Sequence, residues 1–369
     1  MKTFQVRYTG DYLTEAGKLA VPDIAVDLFA DKPWIEYEFL RDQSPQPGQA
    51  DYWDRLYSLQ IEPQHVAAAN GIVIFRPWVK KEAFAKGAEN LVVIARAGAG
   101  CDKIDLAACT DHDVAVFNAP DTLTHSTASS AFVFIVALAK RLWDQQRLVT
   151  TGRWDQQPAV MGIDLPGKTL GIVGLGATGR ELVRLAAPFE MNVIAYSPRA
   201  DRARAAKMGV TLVDSLDDIM RQSDFVSLHC RLEPHTRRMI GERELRLMKP
   251  TAYFINVGRG ELVDQAALVR ALRERWFAGA GLDVFEHEPL PVNDPLVTLD
   301  NVILTPHWLP STLDAARLTM ETMSRGLIRA SEGIAPENVV NQAVLDRSGF
   351  QQKLARFAVN SGELASAAR

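Results

Sequence analysis

The chain has 369 residues, which at roughly 150 per domain suggests two domains. Its 47% hydrophobic and 23% charged residues are enough to build a sizeable core, and 41 Lys and Arg against 45 Asp and Glu leave a net charge of −4. That balance offers no basic surplus for a nucleic-acid backbone or an anionic membrane, so neither is expected as a partner.

The longest uninterrupted apolar run, residues 131–139, is about half of what a bilayer-spanning helix needs. No apolar stretch follows Met1 before Asp11 and Glu15, so no secretory signal is expected. Cys101, Cys109 and Cys230 sit in no CxxC or Cys/His ligand spacing, which fits a reducing cytoplasm and predicts neither a disulfide framework nor a metal site.

In chain order, RDQSPQPGQ (41–49) is a loop by its Pro, Gly and Gln content. GIVIF (71–75) and LVVIARAG (91–98) are predicted strands flanking a helix at KEAFAKG (81–87), and VAVFNAP (114–120) is a later strand. A single long helix is predicted from Ser126 to Leu148, apolar nearly all round in its first half, as expected of an interface helix. From Lys168 the rhythm sharpens. Strands are predicted at 169–174, 192–196, 224–229, 252–257, 278–284 and 301–306, with helices at 177–189, 214–222 and 264–276. Strands this apolar on both faces, separated by single helices, describe a parallel sheet covered on each side. Beyond a sheet-like ENVVN, residues 343–369 read as a charged helical extension.

Gly174-Leu-Gly176-Ala-Thr-Gly179 is a GxGxxG motif that directly follows a strand and opens a helix. In that setting Gly174 makes the tight turn, Gly176 admits a pyrophosphate and Gly179 lets helix and strand pack closely. The residue ending the next strand selects between NAD and NADP, because an acid there would bond the ribose 2′-hydroxyl and repel a 2′-phosphate. That position is Ser197, with Arg199 two residues on and Arg202 and Arg204 nearby. A hydroxyl and a guanidinium fork predict NADP, with NAD possible if the arginines only form a solvated face.

Three further strand ends carry polar residues, where open α/β sheets bind ligands: the turn at Arg259, the Asp283–Glu288 segment, and His307 with Trp308. Together with ARAGAGCDKIDL (95–106), MKP (248–250), INVGRGELVD (255–264), GLDVFEHEPL (281–290) and LTPH (304–307), these make the sequence resemble the D-isomer-specific 2-hydroxyacid dehydrogenase family from about residue 70 to 340.

The resemblance implies an Arg, Glu, His catalytic set at Arg259, Glu288 and His307. An imidazolium at His307, kept protonated by Glu288, would supply a proton as hydride reaches a carbonyl carbon, and Arg259 would hold the substrate carboxylate or polarise its carbonyl. By the same resemblance the backbone at Ala99 and Gly100 cradles the carboxylate. Ala177 and Thr178 meet the pyrophosphate, Cys230, Val257 and Gly258 approach the cofactor through their backbone, and Asp283 lies by the nicotinamide carboxamide. His229 is expected to be structural. His65, His112, His125, His235 and His287 have no such setting and are expected to be solvent-exposed.

Several positions depart from the family pattern. Relatives that oxidise formate carry Asn at the position of Leu123 and Gln at that of Glu288, which disfavours formate. Trp308, Leu309 and Pro310 stand where relatives place small residues, and Trp78 is expected either to line the substrate cleft or to be packed.

The expected architecture is α/β. A Rossmann-type doubly wound parallel sheet (121–309) is inserted into a flavodoxin-like substrate domain (1–120, completed by 310–342), with substrate in the cleft. The expected reaction is NADP-linked interconversion of a small 2-oxo acid, glyoxylate- or hydroxypyruvate-like, and its D-2-hydroxy acid, by a homodimer. The alternatives are an NAD-dependent, 3-phosphoglycerate-like dehydrogenase, or a cofactor-sensing corepressor-like module.

Overall fold

Residues 2–358 are described by the computed structural model, and they divide into two units. One comprises residues up to Leu123 and from Thr312; the other is Thr124–Ser311. No helix among the described residues is long and apolar enough to cross a membrane.

The first unit holds five strands: β1 (Phe4–Tyr8), β2 (Ile35–Phe39), β3 (Gly71–Ile74), β4 (Val93–Arg96) and β5 (Ala115–Asn118). All pair in parallel in the order β2-β1-β3-β4-β5, the flavodoxin order. Side chains of successive strand residues point to opposite faces, and each face has its own cover. Ile72, Ile74, Ile94 and Val116 pack with Val66, Phe84 and Ala108, while Val73, Val93, Ala95 and Phe117 pack with Met323 and Leu327 of the helix Leu313–Ser331.

β1 and β2 carry no expectation above. The segment read as a helix at 81–87 is a short 3₁₀ turn, Lys81–Phe84. The region from 343 is a correction to the reading as a charged extension. Its helix Ser348–Ala355 turns Phe350 and Leu354 inward, and with Phe357 they join the core of this unit. Burial of such side chains contributes roughly 1.5–3 kcal/mol each, so the segment is integral to the fold. Residues 359–369 of that reading lie outside the described residues.

The second unit holds β6 (Thr169–Val173), β7 (Asn192–Tyr196), β8 (Val210–Leu212), β9 (Phe225–Leu228), β10 (Tyr253–Asn256), β11 (Gly279–Leu282) and β12 (Val302–Leu304). They form one parallel sheet in the order β12-β11-β10-β9-β6-β7-β8. The order reverses between β6 and β9, and a crevice at the carboxyl ends of strands opens at such a switch point. One face is covered by the helices Thr124–Ala139 and Ala177–Ala186, the other by Leu216–Gln222 and Gln265–Arg273. Gly281 lets the Phe134 ring lie against β11, since a Cβ there would fall 2.6 Å from that ring.

The single helix expected over 126–148 is two helices, Thr124–Ala139 and Leu142–Thr150. Arg141 between them has φ +51°. The Ala139 carbonyl accepts the Ile163 N–H at 2.8 Å, and the Arg141 guanidinium donates to Asp144 and to the Ala159 carbonyl. Bonds to a distant segment replace the intrahelical ones, so the periodicity runs on while the helix turns.

Candidate active site

The residues singled out in the second unit all follow the carboxyl ends of its strands: the glycine turn after β6, Ser197 after β7, Cys230 after β9, Val257–Arg259 after β10, Asp283 after β11 and His307 after β12. A parallel sheet puts these ends on one edge, which is why residues spread over more than a hundred positions share a site.

At the glycine turn, Gly174 has φ +98°, and a Cβ would lie 2.7 Å from the Cys230 nitrogen. The backbones after β6 and β9 are thus in close contact where strand order reverses. At Gly176, by contrast, a Cβ would meet nothing within 4 Å. Gly176 begins the ten-residue helix Ala177–Ala186, and no side chain caps that end. Its first N–H groups, with Ala177 exposed and Thr178 half-buried, face an open cradle suited to a pyrophosphate.

After β7, Ser197 is half-buried and Arg199 is exposed, with its guanidinium 3.9 Å from the Glu233 carboxylate. Arg202 is not a loose positive charge near this point: it pairs with Asp214 and donates to the Leu212 carbonyl. The Cys230 thiol contacts the Met239 sulfur, and burial pushes it up to about 11, so it is inert and its backbone is what it offers.

The turn after β10 is braced by Asn256, which is 2% exposed. Its side-chain nitrogen donates to the Arg259 carbonyl at 2.9 Å, and its oxygen accepts the Gly258 N–H at 3.0 Å. Val257 is buried beneath this loop. Asn256 lies inside the INVGRG motif, yet its bracing role carries no signal in residue type and was missed.

Glu288 and His307 are brought together. Glu288 Oε1 accepts the Phe285 N–H at 3.1 Å, and Oε2 lies 2.7 Å from His307 Nδ1. His307 has φ +53°, a left-handed conformation uncommon for residues other than glycine and tolerated by His, Asn and Asp better than by most. Asp283 is fully buried. Its Oδ1 accepts the Thr305 hydroxyl at 2.5 Å and the Trp308 and Leu309 N–H groups at 3.1 Å each. Its Oδ2 is buried without a hydrogen-bond partner. Burial pushes the Asp283 carboxyl above the ordinary range, and the Thr305 hydrogen bond acts against that shift. A buried, orphaned carboxylate oxygen calls for a donor such as a carboxamide NH2. With the glycine cradle, this donor set fits a nicotinamide dinucleotide. Thr305 was not singled out from sequence either.

Ala99 (exposed) and Gly100 (half-buried) are in the loop after β4 of the first unit, where the Asn118 amide donates to the Ala99 carbonyl at 2.6 Å. Trp78 is half-buried, and its indole N–H donates to the Tyr57 carbonyl. His229 bonds Ser227 at 2.8 Å, and burial lowers its imidazole to about 4. His125, His235 and His287 are exposed, but two expectations fail. His65 is buried, accepting the Glu62 N–H and pairing with Asp42, and His112 stacks on Phe84.

Residues 132–308 match the family model for the D-isomer specific 2-hydroxyacid dehydrogenase, NAD binding domain. A glyoxylate reductase of Korarchaeum cryptofilum is 41% identical over 271 residues, covering 72% of this chain and 81% of that protein. The chain belongs to the D-isomer specific 2-hydroxyacid dehydrogenase family. A D-3-phosphoglycerate dehydrogenase of Methanocaldococcus jannaschii is 42% identical over 69% of this chain, although the match spans 48% of that longer protein. A crystal structure of a Thermus thermophilus protein superposes with a TM-score of 0.76 at 30% identity, covering 91% of this chain and all of that one. The enzyme is an oxidoreductase of this family, transferring a hydride between a nicotinamide cofactor and the CH–OH carbon of a 2-hydroxy acid.

Proposed function

We propose that this 2-hydroxyacid dehydrogenase reduces a small 2-oxo acid of the glyoxylate or hydroxypyruvate kind to the D-2-hydroxy acid, using NADPH, with His307 as the proton donor. The observation that carries the reading is the 2.7 Å contact between His307 Nδ1 and Glu288. With Nδ1 held by a carboxylate, Nε2 is the nitrogen left to hand over a proton. Glu288 is held in turn by the Phe285 N–H, so the ring's orientation is fixed before substrate arrives.

The bound dihydronicotinamide supplies the hydride. Its pyrophosphate is assigned to Gly174, Gly176, Ala177, Thr178 and Gly179, and its carboxamide to Asp283 Oδ2, with Cys230, Val257 and Gly258 contributing backbone. Arg259, on its Asn256-braced turn, polarises the substrate carbonyl or holds its carboxylate. In the oxidative direction Nε2 of His307 accepts the hydroxyl proton. Similarity to the curated glyoxylate reductases supports the substrate class. Rates of NADPH oxidation across a panel of 2-oxo acids test it, and a panel without turnover overturns it.

The NADP preference rests on Ser197 and Arg199. Arg199 lies at the edge of ion-pair distance from Glu233 and is 85% exposed, so a 2′-phosphate can draw it away at little cost. Arg199→Ala is expected to raise the KM for NADPH about tenfold and leave that for NADH within about twofold. An unchanged preference would remove the basis for assigning NADP.

The reading includes a homodimer. Leu142, Trp143, Val149, Trp154 and Met161 are each more than half exposed and gather on the helix Leu142–Thr150 and the segment after it, more apolar surface than a lone subunit ordinarily shows water. The double variant Leu142→Asp, Trp143→Asp is expected to halve the mass measured by light scattering while its unfolding temperature shifts by only a few degrees. A wild-type protein of monomer mass would refute this. A reducing, cytoplasmic location is supported by the sparse, odd set of three cysteines, which fall in no CxxC or Cys/His ligand spacing.

A second reading is favoured by one cluster on the first unit. The Lys103 ammonium is 4.8 Å from the Tyr57 ring and 5.4 Å from that of Trp78, with Lys80 5.8 Å from Trp78 and Arg76 6.0 Å from Tyr57. Cations gathered after β3 and β4 favour an acid with a second anionic group, such as 3-phosphoglycerate. Including 3-phosphoglycerate with NAD in the panel separates the two readings.

A further inference from the structure

His307 owes its position to a turn that the known roles of its neighbours do not explain. Its left-handed backbone lies between residues tied to one carboxylate oxygen, Thr305 on one side and Trp308 with Leu309 on the other. The His307 N–H itself donates to the Thr305 carbonyl at 3.0 Å. Thr305 therefore grips the turn twice, by its carbonyl to His307 and by its hydroxyl to Asp283 Oδ1.

The second grip has a consequence for the carboxylate. Three donors converge on Oδ1, whereas Oδ2 is buried with none. A carboxylate is two-fold symmetric and can exchange its oxygens by rotation about its terminal bond. Two of these donors are the backbone N–H groups that follow His307, and the third, the Thr305 hydroxyl at 2.5 Å, precedes it in the chain. Donors from both flanks of His307 on a single oxygen fix which way round the carboxylate lies, and the carboxylate in turn holds the Trp308–Leu309 backbone next to the imidazole.

We propose that Thr305 is a positioning residue for hydride transfer: its hydroxyl locks the Asp283 carboxylate so that one oxygen holds the His307 turn and the other stays available to the cofactor. The inference rests on the reading of His307 as proton donor. Thr305 touches neither substrate nor cofactor in this account, and its hydroxyl acts through Asp283.

The test uses the full-length enzyme with NADPH and its best 2-oxo acid. Thr305→Val removes the donor while keeping the branched shape, and Thr305→Ser keeps the donor while removing a methyl. Thr305→Val is expected to lower kcat about 10- to 100-fold, the scale of a small misplacement of a catalytic group, with the KM for the oxo acid within about threefold. Thr305→Ser is expected to restore kcat to within about threefold of wild type. If Thr305→Val does not fold, Thr305→Ala is measured in its place.

Three outcomes overturn the inference. In one, the valine variant keeps wild-type kcat. In another, the serine variant is as impaired as the valine variant. In the third, both variants lose kcat only in proportion to lost folded protein. His307→Asn is run alongside. If that variant turns over normally, the reading beneath has failed; if it is inactive while Thr305→Val is normal, only the role of Thr305 has.

Discussion

Turnover of the best 2-oxo acid is expected to fall about 10³-fold in His307→Asn, within the range a positioned general acid contributes. Asparagine is the informative replacement because it is among the few residues that accept a left-handed backbone, so φ +53° at this position survives the change. The Asp283 bonds to Trp308 and Leu309 are made by backbone N–H groups and also survive. What is lost is an imidazole nitrogen able to hand a proton to the substrate oxygen. Cofactor affinity, followed by nicotinamide fluorescence, and the unfolding temperature are therefore expected to stay close to wild type. A variant that reduces its substrate at full speed would leave the His307–Glu288 pair without a catalytic role.

Gly176→Val is expected to weaken NADPH binding about 100-fold, close to 3 kcal/mol, without lowering the unfolding temperature. The backbone at Gly176 has φ −73° and ψ −160°, which any residue adopts, and the space above it is open in the protein alone. The added side chain is thus harmless to the fold and fills only the cradle assigned to the pyrophosphate. Gly174→Ala is the contrasting control. There φ is +98° and the new methyl would press on the Cys230 backbone, so this variant is expected to lose about 1–3 kcal/mol of stability or more. Calorimetric titration with NADPH together with thermal unfolding distinguishes the two. If Gly176→Val binds cofactor as tightly as wild type, the pyrophosphate lies elsewhere.

The second unit was legible strand by strand because its strands are covered on both faces, which forces apolar runs that chain order then separates with helices. The edge strands β2 and β8 were not. β2 (IEYEF) exposes most of its residues, and β8 is three residues long, so neither carries a pattern that marks it as a strand without its neighbour. The break at Arg141 depends on Ile163, whose N–H takes the Ala139 carbonyl, and no local window contains both. His65 became a buried residue because Asp42 is brought to it across a fold that its own neighbourhood does not describe.

At the candidate site the division follows the same physics. Local rules, the φ that glycine permits and the donors a helix start leaves unpaired, were sufficient to mark the cofactor turn at Gly174–Gly179 and to place Arg259, Glu288 and His307 at strand ends. Which oxygen of Asp283 is held and which is left over, and that Glu288 reaches His307 at 2.7 Å, are relations between separate strand-end loops. The same holds for Asn256 and Thr305, whose roles come from neighbours that chain spacing does not identify. Residue types are written in the chain; hydrogen-bond partners across a parallel sheet are decided only by packing, because the register that brings them together is set by the burial of everything beneath them.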